Sequence, residues 1–221
     1  MNLEDLRDYV SWLVNFDNTD QQQDFIGPSG DLNKHIDRAI NFAYQEEVSL
    51  ATQNGSREFF KRKYSFTWPD GSQTVSIPDP VKRKLIISIR DDTDTTPGHT
   101  VHTWNTLVEG SGLYVEDVDT WGWEPAPNSD RSLVVMYIAT PVTLKDEMDE
   151  PDLIPREFRE LLGWSAAIRL LRAGDQQSPA EWKSAQRELR LQFWKMAASG
   201  SPALYPSARI RNHSPDTQEF F

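Results

Sequence analysis

Apolar positions in the first stretch of the chain, Leu3, Leu6, Val10, Leu13 and Val14, recur every three or four residues. That repeat is one face of a helix, expected over residues 3–15, with Asn2 at the N-cap and Asp5 three residues on. The polar run NTDQQQDFIGPSG interrupts it. A second stripe then passes through Leu32, Ile36, Ile40, Ala43 and Val48, with Asp31 placed to cap it.

The middle of the chain changes period. Phe60, Tyr64, Phe66 and Trp68 fall on even positions before the turn Pro69-Asp70-Gly71, which predicts a hairpin whose return strand is Gln73 to Ile77. Pro78 and Pro80 should hold the next crossing extended. The run VKRKLIISIR, residues 81–90, is apolar enough at its centre for a strand covered on both faces. Residues 91–128 show the weakest pattern, with short strands expected near 99–108 and 113–118. Leu133 to Ala139 reads as a strand that ends before Pro141.

The last third returns to the helical period. Pro155 suits a first helical position, and Phe158, Leu161, Leu162, Ala166, Ile168 and Leu171 follow as a broad stripe that Gly174 should terminate. Ser178-Pro179-Ala180-Glu181 has the form of a capping box, and Trp182, Ala185, Leu189, Phe193 and Met196 carry the next stripe up to Gly200. So short a connection predicts an antiparallel hairpin. The tail after Gly200 has three prolines and no period. It is expected to order only against a partner, through Tyr205, Ile210, Phe220 and Phe221.

These patterns add up to an α+β protein: a bundle of about four helices with an inserted antiparallel β portion and an extended C-terminal tail. The expected divisions are 1–50 for the N-terminal helices, 57–144 for the β region, 153–198 for the hairpin that completes the bundle, and 199–221 for the tail.

Composition narrows the chemistry. The 221 residues include no cysteine, which removes disulfides, thiolate metal sites and cysteine nucleophiles. Aromatic residues make up 11%, eight of them tryptophan, so large rings must carry much of the burial. The opening residues are not those of an export signal, so the glycosylation-like triplets at Asn54 and Asn212 read as chance matches; no segment is apolar enough for a membrane span. The net charge of −11 is split, with 13 basic and 27 acidic residues over 1–154 but 10 basic and 5 acidic over 155–211. An acidic front argues against tight DNA binding.

Candidate catalytic groups fail on spacing. His99 and His102 are three apart in a β-branched context, where they would point to opposite faces, and the acids Asp91, Asp92 and Asp94 lack the glycine and glutamate of a calcium loop. They read as a solvated turn. The carboxylates Asp146, Glu147, Asp149, Glu150 and Asp152, and Glu116, Asp117 and Asp119, read as exposed runs rather than a catalytic pair. Trp121 and Trp123 leave one alternative open, a carbohydrate-binding or hydrolytic β protein using these rings and nearby carboxylates. No cofactor, metal or nucleophile motif occurs.

One further likeness rests on particular segments: the DLRDYV start, the helix IDRAINFAYQ, the segment SIPDPVKRKLIIS, the strand LVVMYIATPVTL and the D-x-P-x-L-I-P-x-E-F lead into the closing hairpin, with Leu153, Pro155, Glu157 and Phe158. In this order they resemble the head-to-tail connector, or adaptor, proteins of tailed bacteriophages. The resemblance implies a structural virion protein without enzymatic activity, assembled as a homo-oligomeric ring, commonly of twelve copies, beneath the portal. The ring would extend the channel through which DNA passes without sequence-specific binding, and would present a surface for the next neck, stopper or tail protein. It further implies a C-terminal arm on the portal, with Tyr205, Arg209, Ile210, Arg211, Phe220 and Phe221 as docking residues. Ring contacts are expected from the hairpin, through Trp164, Arg169, Arg172, Trp182, Arg187 and Trp194.

Overall fold

The computed structural model describes residues 1–14, 31–54, 57–93, 103–104, 112–174 and 176–199. The fold is α+β, and the chain divides into two compact units, Met1–Phe59 with Thr140–Phe221, and Phe60–Ala139.

The first unit is helical. Helix α1 (Leu3–Val14) buries all five residues of its apolar stripe, and its start is a reciprocal cap. Asp5 N–H donates to Asn2 Oδ1 and Asn2 N–H donates to Asp5 Oδ2, each at 2.9 Å. Helix α2 (Leu32–Asn54) runs several residues beyond Val48, and Ala51 continues its buried face. Helix α3 (Glu160–Ala173) packs on α1 and α2 and is buried on nearly every side, which small residues at Gly163, Ala166 and Ala167 permit. A Cβ on Gly163 would stand 2.3 Å from Tyr9 Cδ1, so the Tyr9 ring lies directly on the α3 backbone. Helix α4 (Ala180–Ala198) packs on α3 and α2 but fully buries only Phe193 and Ala197.

Two sequence expectations at these helix ends give way. A 3₁₀ turn, Arg156–Phe158, precedes α3, so Pro155 starts that turn and not the α-helix. The Ser178 capping box does not form: Pro179 takes the N-cap position, which moves Ser178 one residue too far out, and its buried hydroxyl has no hydrogen-bond partner among the described residues. Gly174 does end α3, in a right-handed conformation (φ −92°) with its N–H on the Leu170 carbonyl at 3.1 Å.

The acidic segment before α3 is built into the bundle. Leu3 and Glu4, whose N–H groups the helix cannot satisfy, donate to the carbonyls of Asp149 (2.9 Å) and Glu147 (3.1 Å). Asn41 exchanges two bonds with Leu144, its Nδ2 to the carbonyl at 3.0 Å and its Oδ1 from the N–H at 2.7 Å. The Tyr44 hydroxyl donates to Asp152 Oδ1 (2.6 Å) and accepts from Leu153 N–H (3.1 Å). Burial, and then the bond to Asp152, push the Tyr44 pKa far above the usual tyrosine range. Arg159, 4% exposed, spans the whole junction through Ile154 O, Met1 O and Glu150 Oε2.

The second unit holds two antiparallel sheets. Strands β1 (Lys61–Trp68), β7 (Arg131–Ile138), β3 (Leu85–Asp91) and β4 (Thr103–Trp104) form one in the order β1-β7-β3-β4, and β2 (Thr74–Ser76), β6 (Thr120–Trp123) and β5 (Leu113–Asp117) form the other in the order β2-β6-β5. Trp68, Val81, Ile89, Leu113, Trp121, Leu133 and Val135 make one core.

The expected β1–β2 hairpin does not form. β1 pairs residue for residue with β7, from Lys61↔Ile138 to Trp68↔Arg131, while the short β2 pairs with β6. The turn between them is tied elsewhere: Trp68 Nε1 donates to Ser72 O at 2.8 Å, and Gly71, at φ 67°, donates to Pro127 O at 2.9 Å. The strand expected over 81–90 also starts late. Val81 to Lys84 turn instead of extending, with Val81 N–H on Pro78 O (2.9 Å), Lys84 N–H on Val81 O (3.1 Å) and Arg83 at φ 58°. In β3 only Ile89 and Asp91 are buried and Leu85 is 55% exposed, so the strand is covered on one face. Thr120–Trp123, beyond the short strands expected near 99–108 and 113–118, is the central strand of the smaller sheet.

Candidate functional site

The candidate surface is traced on α3 and α4, helices of net positive charge in an acidic chain that also carry Trp164, Trp182 and Trp194. Behind that surface lies a charge the apolar stripe of α2 conceals. Glu47 has no exposure, yet it occupies a helical position between Ala43 and Ala51. Arg190 of α4 grips both its oxygens, Nε to Oε2 at 2.8 Å and Nη2 to Oε1. Ser165 Oγ adds a bond to Oε1 at 2.8 Å, and Gln186 Nε2 donates to Ser165 Oγ at 2.9 Å. The bond to Glu47 holds the Arg190 pKa above its ordinary value. This network pins α4 to α2 and α3 and orients everything outward of it.

Outward lies a polar cavity of about 340 Å³, lined by Glu46, Ser165, Arg169, Arg172, Gln186 and Arg190. Arg169 pairs with Glu46 at 2.7 Å and lies over the Phe42 ring at 5.4 Å. Arg172 and Arg187 are exposed and have no ion-pair partner among the described residues. An aromatic row crosses the same unit: Trp12 and Tyr9 stack at 6.0 Å, Tyr9 meets Trp164 edge-on at 6.1 Å, and Trp164 meets Trp182 at 5.6 Å. Trp12 is 72% exposed, while the other three rings are half-buried.

The six residues expected at a ring contact therefore divide. Arg169 and Arg172 share the cavity, Trp164 and Trp182 pack on each other in the aromatic row, Arg187 is exposed, and Trp194 is half-buried with its Nε1 unpartnered among the described residues. Tyr205, Arg209, Ile210, Arg211, Phe220 and Phe221 lie outside the described residues, as do His99, His102 and Asp94. Sequence reasoning missed Glu47, Tyr9 and Trp12. The signal for Glu47 was present, an acid at a core position of a helical stripe.

The alternative built on Trp121 and Trp123 loses its platform. Trp121 is 1% exposed within the β core, and Trp123 is wedged edge-on between Trp68 (5.5 Å) and Trp104 (5.3 Å). Buried Trp121 has no face for a sugar, which leaves half-buried Trp123 without its partner ring. Of the acids beside them, Asp119 pairs with Lys82 at 3.1 Å and Asp117 Oδ1 accepts the Asp119 N–H at 2.7 Å. The expected solvated turn at Asp91 is likewise a buried anchor, whose Oδ1 accepts Thr93 N–H (2.9 Å) and Thr93 Oγ1 (2.5 Å). Asp92 is bonded to Arg90.

Among the described residues, no three histidine, aspartate or glutamate side chains gather to hold a metal ion, and no helix is long and apolar enough to cross a membrane. No protein-family model matches the chain, and no curated protein matches it in sequence.

Proposed function

We propose that the protein is a structural component of a tailed-phage virion, an adaptor that assembles as a ring beneath the portal and carries no enzymatic activity. The observation that supports this most is α4. This helix repeats apolar residues over its full length but buries only Phe193 and Ala197, leaving Trp182, Leu189 and Met196 half-covered and Leu191 43% exposed. Such a helix has apolar area to place against a neighbour, and a ring places it without an edge because a heterologous contact closes on itself. The acidic excess of residues 1–154 suits a channel wall along which DNA slides, since binding to phosphate needs basic groups that displace counterions.

In this reading the downstream face receives the next neck or tail protein, and residues 201–221 form the portal arm, with Arg209 and Arg211 among aromatic anchors. The test is reconstitution with the portal protein of the same virus, read by native mass. A portal complex holding a ring of this chain supports the reading, and absence of any complex refutes it. Deletion of residues 201–221 should abolish attachment and leave the circular dichroism spectrum unchanged.

A further inference from the structure

Resting on the adaptor-ring reading, we propose that the ring contact joins two different faces of the helical unit: the Glu4–Asp8–Trp12 row of one copy seats on the arginine-lined cavity of a second copy. The row is a geometric one. Positions 4, 8 and 12 of α1 are one turn apart, all three are exposed, and neither carboxylate has an ion-pair partner among the described residues. Trp12 at its end is 72% exposed, although tryptophan carries more apolar area than any other side chain to leave in water. Its ring is held outward by stacking on Tyr9, which itself rests on Gly163.

The cavity offers the complementary chemistry. Glu47 occupies the guanidinium of Arg190 and Glu46 that of Arg169, but Arg172 on the cavity wall keeps uncompensated charge in a chain of net −11, and Arg187, exposed on α4 outside the lining, is a second arginine without an ion-pair partner among the described residues. Arginine takes carboxylates in bidentate pairs and takes an indole on its planar face, so Glu4, Asp8 and Trp12 match it in both respects. The row belongs to α1 and the cavity to α2, α3 and α4, so the two share no residue and one copy presents both at once. Two unlike, complementary patches on a single molecule are what a heterologous ring contact requires. A second copy of this chain is therefore the occupant.

The absence of cysteine makes the test clean. The full chain carrying both Ser11→Cys and Ala173→Cys, each beside a contact residue and neither removing one, is oxidised mildly, alone and with purified portal. The expected result is a ladder of covalent multimers, with each single-cysteine variant staying monomeric because neither position meets its own counterpart. Separately, Glu4→Gln with Asp8→Asn should weaken self-association or portal-templated assembly at least ten-fold at low salt, with a smaller effect at high salt. Efficient dimers from Ser11→Cys alone would mean an isologous contact and overturn the proposal. A portal-bound ring without a ladder overturns the assignment of faces and leaves the adaptor reading standing. No ladder together with no portal complex removes both.

Discussion

Arg190 sets the Nε–Nη2 edge of its guanidinium on both oxygens of Glu47, a carboxylate with no exposure, across 143 residues of sequence. A charge so placed is tolerated only while paired, because removing one partner strands the other in a low-dielectric site. Arg190→Ala should therefore cost about 3–5 kcal/mol of stability in urea unfolding. Replacing both residues with apolar side chains of similar size should cost much less. A loss below about 1 kcal/mol for Arg190→Ala would show that water takes the place of the guanidinium on Glu47.

The same pair marks where sequence reading stops. The α1 stripe and its Asn2–Asp5 cap were legible because every interaction lies within one turn of helix. Glu47 showed only as an acid at a core position of the stripe, and its partner is chosen by how α4 lies on α2. The β region failed for a related reason. Alternation identified β1, but which strand it pairs with is decided by the eight-residue match to β7, far along the chain, and the local turn at Gly71 pointed to the wrong partner. Ser178 shows a motif present in letters and unmade in space, because Pro179 takes the capping position itself. Of the candidate surface, the arginines and tryptophans of the hairpin were legible from composition. The α1 row is outward by the same period that makes the stripe, but the sequence does not show that the folded unit leaves it uncovered.

Gly163 and Tyr9 give a packing prediction. Gly163→Ala places a methyl 2.3 Å from Tyr9 Cδ1, and the ring can yield only by lifting off α3. The substitution should destabilise by about 1–3 kcal/mol despite the helix propensity gained by alanine. In a Tyr9→Ala background it should become neutral or stabilising, a coupling that a double-mutant cycle measures. Additive effects would mean the ring does not rest there.

Trp121 tests the β core against the discarded sugar platform. Its indole is buried beside Phe66 at 5.7 Å. Trp121→Ala should cost about 3–5 kcal/mol in the unfolding of the β unit, as large aromatic truncations in a closed core do. Helical circular dichroism measured across the same transition separates loss of this unit from loss of the bundle. If Trp121→Ala unfolds like the wild type, the ring is not in the core.

The junction before α3 carries the pH dependence. The hydrogen bond and charge of Arg159 hold the Glu150 pKa below its ordinary value, and the N–H groups of Lys145 and Asp146 do the same for Asp149. A carboxylate whose folded pKa is depressed binds protons more readily in the unfolded chain. Its stabilisation is complete above the unfolded pKa and is lost as pH falls through the folded one. Because these two groups fasten the start of α1 to the segment leading into α3, the urea midpoint should drop between about pH 5 and pH 2. Glu150→Gln should flatten part of that drop while lowering the midpoint at neutral pH. Arg159→Met should lower the neutral midpoint further, since it also abandons Met1 O and Ile154 O. A midpoint that falls with acid as steeply in Glu150→Gln as in the wild type would place the acid-sensitive contact elsewhere.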